Sequence, residues 1–230
     1  MKDIDTAPFS IKEALRYGWR KTRENLGALL YIGAIGLFLA SLNQMLSRPT
    51  QAPGTPPLLG LGLVVQVLQA GVTMAFIRTA LAVHDGRKPD LSKPSALLAG
   101  FWSYLLTSLL YGLIVTAGLL LLLVPGVYWA VKYGLAAFVS VDQRLPPLES
   151  LRASSRLTEG ARGELLLFAL AVLGLNVLGA LALGLGLFLT IPTSFLAAAF
   201  VFRRLQAWAP LRAVPGPRGP ASPTLRDAHA

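Results

Sequence analysis

The chain has no cysteine, two histidines and eleven acidic residues among 230, and each shortage removes a class of chemistry. Without cysteine there is no disulfide framework, thiolate metal ligand or cysteine nucleophile, and the redox compartment is left open. The histidines are His84 and His229. His84 and Asp85 with Asp90, in HDGRKPD, read as a solvated turn between apolar segments, with Gly86 and Pro89 as its punctuation, rather than as a metal site. No zinc spacing, Ser-His-Asp set or Gly-rich phosphate loop is present. The expectation is a protein that is not an enzyme and carries no metal or cofactor.

Charge is scarce as well. Charged residues make up 14% of the chain against 54% hydrophobic, too apolar for a soluble domain of this length. The net charge of +10 does not point to nucleic acid, because the basic residues lie between long apolar runs with no interleaved aromatic patch. About 25 charged or mixed residues precede the first apolar run, which is not the pattern of a cleaved signal peptide.

What the sequence has in quantity is apolar runs. A hydrocarbon core of about 30 Å is crossed by about 20 helical residues, and the runs divide into spans at 26–46, 58–83, 97–124, 126–141, 163–188 and 191–208. The run from 97 to 141 would make a single helix of about 67 Å, so it must reverse, and Pro125-Gly126 is the expected turn. The run from 163 to 208 must reverse in the same way near residues 189–192, with Pro192 in the first turn of the new helix. The expected fold is an all-α membrane bundle occupying residues 1–209, followed by a disordered Pro-rich tail at 210–230.

Basic residues then orient the bundle. Lys2, Lys12, Arg16, Arg20, Lys21 and Arg23 precede the first span; Arg78, Arg87, Lys88 and Lys93 flank the second loop; Arg144, Arg152, Arg156 and Arg162 fill the fourth; Arg203, Arg204, Arg212, Arg218 and Arg226 follow. The opposite side offers only Arg48. The positive-inside rule puts both termini in the cytoplasm of a bacterial cell, with the chain in its cytoplasmic membrane.

Two stretches flank the spans without crossing. Residues 9–25, FSIKEALRYGWRKTREN, place Ile11, Leu15, Trp19 and Leu26 on one helical face and Lys12, Arg16, Arg20 and Arg23 on another. This pattern predicts an interfacial helix anchored by Trp19, Tyr17, Arg16 and Arg20 at headgroup depth. The second stretch, residues 147–160, is less apolar. Aligning Glu13 with Glu149 without gaps matches Leu15 with Leu151, Arg16 with Arg152, Arg20 with Arg156, Thr22 with Thr158 and Leu29 with Leu165. An interfacial helix followed by two spans thus recurs, which predicts a parallel internal repeat.

Polar residues inside spans are the candidate site. Gln66, Gln69 and Asn176 read first as amides that join helices as hydrogen-bonding glue; the functional alternative is that they meet Lys132 inside the bundle as a polar seam in contact with a lipid or ligand. No span holds a carboxylate to pair with Lys132. Two readings stay open for it: an anchor that snorkels toward the outer turn beside Tyr128, or a contact for lipid phosphate.

Three segments carry a family resemblance. Ala14, Leu15 and Trp19; then Pro125, Gly126 and Lys132; then Leu151, Ser154, Leu157, Thr158 and Gly160 resemble motifs of a bacterial family of polytopic proteins related to the glycerophosphoryl diester phosphodiesterase membrane domain. Ser155 departs from the pattern, which has tryptophan there. The resemblance covers roughly residues 9–205 and implies about six spans without assigning an activity. Residues and resemblance together lead to the expectation of a non-enzymatic membrane scaffold or accessory component whose partners are membrane lipids and a membrane protein. The alternative is a transporter or lipid-handling permease.

Overall fold

The structure, a computed structural model, describes residues 8–46, 59–87, 100–181 and 186–213. All regular structure among them is helical: α1 (Ile11–Glu24), α2 (Leu26–Leu46), α3 (Leu59–His84), α4 (Phe101–Leu121), α5 (Leu123–Tyr133), α6 (Ala136–Gln143), α7 (Pro147–Leu157), α8 (Arg162–Leu181) and α9 (Leu187–Ala213). Six stretches are long and apolar enough to cross a membrane: Leu26–Leu46, Gly60–His84, Phe101–Leu121, Leu123–Gln143, Arg162–Leu181 and Leu187–Ala209. The chain is therefore a multi-pass, all-α membrane protein. The tail expected from residue 210 starts later, because α9 runs on to Ala213; residues 97–99 and the tail beyond Ala213 lie outside the described residues.

Both expected reversals are displaced toward the N-terminus. The first is at Leu122, whose extended backbone (φ −164°, ψ 146°) separates α4 from α5. Pro125 and Gly126 lie inside the first turn of α5 instead of forming the turn. A proline is tolerated there because the first backbone N–H groups of a helix have no intrahelical acceptor. The second reversal comes after Leu181, and α9 begins at Leu187. Pro192 consequently lies more than a turn into α9.

Glycines let both hairpins close. A Cβ on Gly118 would fall 2.8 Å from the Gly126 Cα, and one on Gly179 would fall 3.1 Å from the Gly186 carbonyl carbon. Each hairpin thus brings two helix backbones together near its tip, in the manner of small-residue contacts in lipid.

The core sits at the other end of the bundle. Ile77, Ala80 and Leu81 of α3, Ala136, Phe138 and Val139 of α6, and Leu196, Ala197, Val201, Phe202 and Leu205 of α9 are all buried. Half of the α9 span is buried, against 17–22% of the spans formed by α2, α3, α4 and α8. Toward the hairpin tips the apolar surface is uncovered, with Leu120 84% exposed and Met45 72% exposed. Lipid is the solvent that such a surface fits.

The two amphipathic helices pack against other helices of the bundle. Glu13, Tyr17 and Thr22 of α1 meet Arg204, Phe200 and Thr193 of α9 in turn. As one number rises the other falls, so α1 is antiparallel to α9. The fully buried residues of α1 are Ala14, Gly18 and Thr22; Ile11 and Leu15 of the expected apolar face are partly buried beside them, and Trp19 is exposed. Gly18 permits the contact: a Cβ there would sit 2.5 Å from the Thr193 carbonyl oxygen. The Thr193 hydroxyl donates to Leu189 and so accepts from Thr22 at 3.1 Å.

Helix α7 uses the matching face. Ser150 and Ser154 are buried in it, as is Thr158 just beyond it. Ser150 donates to the Leu145 carbonyl, and Ser154 and Thr158 donate to the Lys132 carbonyl. Helix α7 therefore runs back beside α6 toward the end of α5.

Candidate functional site

Three features combine chemistry with position: a break in the fourth span, an ion cluster at the packed end, and a cleft between spans. The break follows from Gly134 and Leu135, where the helix stops and restarts. Carbonyls near such a break lose their intrahelical donors and in a membrane must find others. Here the Tyr111 hydroxyl donates to Ala130 at 3.3 Å, and Ser154 and Thr158 donate to Lys132 at 3.2 and 3.1 Å. Two of the motif segments quoted above, one around Lys132 and one at Ser154 and Thr158, thereby come into contact. Gly160, at φ 76°, supplies the left-handed residue that turns the chain into α8.

Lys132 sits farther from the hairpin tip than an anchor for the outer turn would. Ten residues past Leu122 it is about 15 Å along the helix, at the level of the α7 C-terminus and away from the hairpin tip. Its amine lies 5.2 Å from the centre of the Tyr133 ring, a cation–π contact. Tyr128, expected at the outer interface, instead accepts a 2.6 Å hydrogen bond from Arg162.

The three amides differ in their surroundings. Gln66 is exposed on α3. Asn176 donates to the Val172 carbonyl and, at 3.0 Å, to the Ser194 hydroxyl, joining α8 to α9. Its Oδ1 is buried without a hydrogen-bond partner among the described residues. Gln69 lines a cleft of about 220 Å³ between α2, α3 and α9, with Gly33, Gly36, Val72, Phe76 and Phe195. Its side-chain oxygen is likewise buried and unpartnered. Leu37 and Ile191, 51% and 39% exposed, stand at the edge of this cleft, so its mouth is on the uncovered apolar perimeter.

The expected interfacial anchors divide. Arg16, Arg20 and Trp19 are exposed, but Tyr17 packs against Phe200 and His84, both rings tilted to its own, at ring distances of 5.0 and 5.5 Å. It belongs to the helix packing, and this burial raises its hydroxyl pKa.

The ion cluster is what the sequence reading missed. Arg203 of α9 donates to both oxygens of Asp85, at 3.1 and 2.8 Å, and to both of Asp142, at 2.9 and 2.8 Å. Gln206 accepts from Arg203 at 2.8 Å, and Arg87 holds Asp85 at 2.6 Å. One guanidinium thus ties the ends of α3, α6 and α9 together. Burial alone would raise the Asp85 carboxyl, but hydrogen bonds from Arg87 and Arg203, with their charges, outweigh it and hold the pKa below the ordinary value. These carboxylates are occupied by cations, and among the described residues no group of three metal-ligating side chains occurs. The signal available in sequence was that Asp85, Asp142 and Arg203 each lie near the same end of three alternate spans.

Comparison with protein families, curated proteins and solved structures finds no match for this chain.

Proposed function

We propose that this chain is a non-enzymatic protein of the bacterial cytoplasmic membrane, with both termini inside, that serves as a scaffold or accessory component and holds a lipid acyl chain between α2, α3 and α9. The observation that carries this reading is the cleft that opens on the apolar perimeter, with the Gln69 oxygen in its wall. A buried acceptor without a donor is unfavourable, and a hydroxyl or amide near the head of a bound lipid would supply the donor. Membrane lipids and a membrane protein are the partners of this reading; nucleic acid is not one. The basic loops support the orientation, and the three motif segments support membership of the polytopic family they resemble.

A parallel repeat is part of the same proposal. In the ungapped alignment Ala14 and Ser150, Gly18 and Ser154, Thr22 and Thr158, Leu29 and Leu165, and Ile32 and Phe168 are buried at both copies. A shared burial pattern favours common ancestry over chance matching of leucines. The broken fourth span favours a lipid-handling permease as second reading, because transporter sites are often built at such breaks. Its freed carbonyls, however, are engaged by Tyr111, Ser154 and Thr158, so the accessory reading is preferred.

Native mass spectrometry of the purified protein tests the cleft. A Cβ on Gly33 would meet only Phe76 and Phe188, at 3.8 and 4.0 Å, so Gly33→Leu fills the space without striking backbone. Wild type should carry co-purified lipid and Gly33→Leu should lose it. Gln69→Leu keeps the volume and removes the acceptor, and should weaken retention about fivefold, one net hydrogen bond. Equal lipid retention in wild type and Gly33→Leu would overturn the reading.

A further inference from the structure

A second concavity, of about 460 Å³, lies at the packed end between α1 and α9, lined by Ser10, Lys12, Glu13, Arg16, Tyr17, Arg20 and Phe200. Its charges are unequal. Glu13, its one carboxylate, is engaged by Arg204 at 3.2 Å, and Arg204 also stands over the Phe200 ring at 5.1 Å. Arg20 approaches Glu24 only at 4.0 Å, and Glu24 is held more closely by Lys21 at 2.6 Å. Among the described residues no carboxylate lies within ion-pair distance of Lys12 or Arg16 in this groove. Lys12, Arg16 and Arg20 recur every four residues and so share one side of the helix. The groove is cationic at its rim and aromatic at its floor.

Its position selects the anion. Glu13 and Tyr17 of the groove meet Arg204 and Phe200, close to the end of the last span, which runs to Ala209, so the groove lies beside the point where that span leaves lipid. Trp19, 43% exposed, lies on the same helix, and exposed tryptophan beside arginine is the composition of a membrane interface. Arginine pairs with phosphate through a planar fork of donors.

We propose that this groove is a headgroup site for an anionic phospholipid, with Arg16 and Arg20 clamping the phosphate, Lys12 at the rim and Phe200 and Tyr17 beneath. The site is separate from the cleft between α2, α3 and α9 and stands whether or not that cleft holds an acyl chain.

The test uses the full chain in neutral detergent, with added phosphatidylglycerol or phosphatidylcholine, read by native mass spectrometry. Wild type should retain phosphatidylglycerol in preference, and Arg16→Gln with Arg20→Gln should reduce that preference about tenfold or more. Arg152→Gln with Arg156→Gln, at the aligned exposed positions of α7, removes the same charge elsewhere and should leave the preference intact. Thermal unfolding of both variants at the wild-type temperature shows that each is folded. An equal loss in the two double variants, or no loss in the first, overturns the site. Displacement of the lipid by millimolar inorganic phosphate would assign the groove to free phosphate, and retention of an acidic peptide in place of phosphatidylglycerol would assign it to a protein. Either result overturns the lipid proposal.

Discussion

Arg203→Leu should lower the stability of the purified protein by about 2–3 kcal/mol, read as an earlier unfolding transition by circular dichroism in detergent. Removing one partner from a buried ion pair costs about 3–5 kcal/mol. The lower figure is expected because the side chains of Arg203, Asp85 and Asp142 remain 18–24% exposed, and water screens part of the loss. The substitution leaves two carboxylates facing each other where α3, α6 and α9 converge. Adding Asp142→Asn should therefore restore part of the stability, a coupling that a simple loss of packing would not produce.

The cluster also sets an acid limit. The Asp85 carboxyl is held below its ordinary pKa, so its contribution is present above the unfolded value of about 3.9 and is lost as pH falls through the folded value. Wild type should lose stability below about pH 4, and Arg203→Leu should lose less over the same range. Equal acid sensitivity in the two proteins would count against a role for this pair.

Gly18→Ala should be nearly as disruptive, although it adds a single methyl. That methyl would lie 2.5 Å from the Thr193 carbonyl oxygen and 3.1 Å from the Ala197 nitrogen. Both are backbone atoms of α9, which cannot turn aside as the end of a side chain can. Overpacking of this kind costs about 1–3 kcal/mol, and the strain is relieved by moving α1 away from α9. The Thr22 and Thr193 hydroxyls, 3.1 Å apart, would separate as well. Gly27, in α2, has nothing within 4 Å of its added Cβ, so Gly27→Ala should be neutral or stabilising by up to about 1 kcal/mol. Comparison of the two melting temperatures distinguishes a specific contact from a general intolerance of change in these helices.

The spans were legible because length and apolarity are local properties. The first was placed at 26–46, where α2 is found. The turns were misplaced because proline marks the end of a helix in most settings, yet Pro125 sits where a missing N–H is harmless. The centre of the buried face of α1, beside Ile11 and Leu15, was missed for a related reason. Large apolar side chains dominate a periodicity reading, whereas Ala14, Gly18 and Thr22 bury their face by allowing close approach, and their spacing of four was in view. The Arg203 cluster was not legible. It joins residues 118 and 61 positions apart, and nothing local in HDGRKPD or in FVSVDQR says that the two ends meet. Lys132 lies deeper in its span than a turn at Pro125 would put it, because the reversal falls three residues earlier, at Leu122, and the break at Gly134 that frees its carbonyl is itself a tertiary feature.

The central claim is that six spans cross a membrane with the packed, charged end of the bundle on the cytoplasmic side. Because the chain contains no cysteine, single cysteines can be introduced and mapped in spheroplasts with a thiol reagent that does not cross membranes. Gln51→Cys, between the first two spans, should be labelled in intact spheroplasts. Arg152→Cys, on the exposed side of α7, should be labelled only after permeabilisation. Labelling of Arg152→Cys from outside with Gln51→Cys protected, or labelling of both without permeabilisation, would contradict the account.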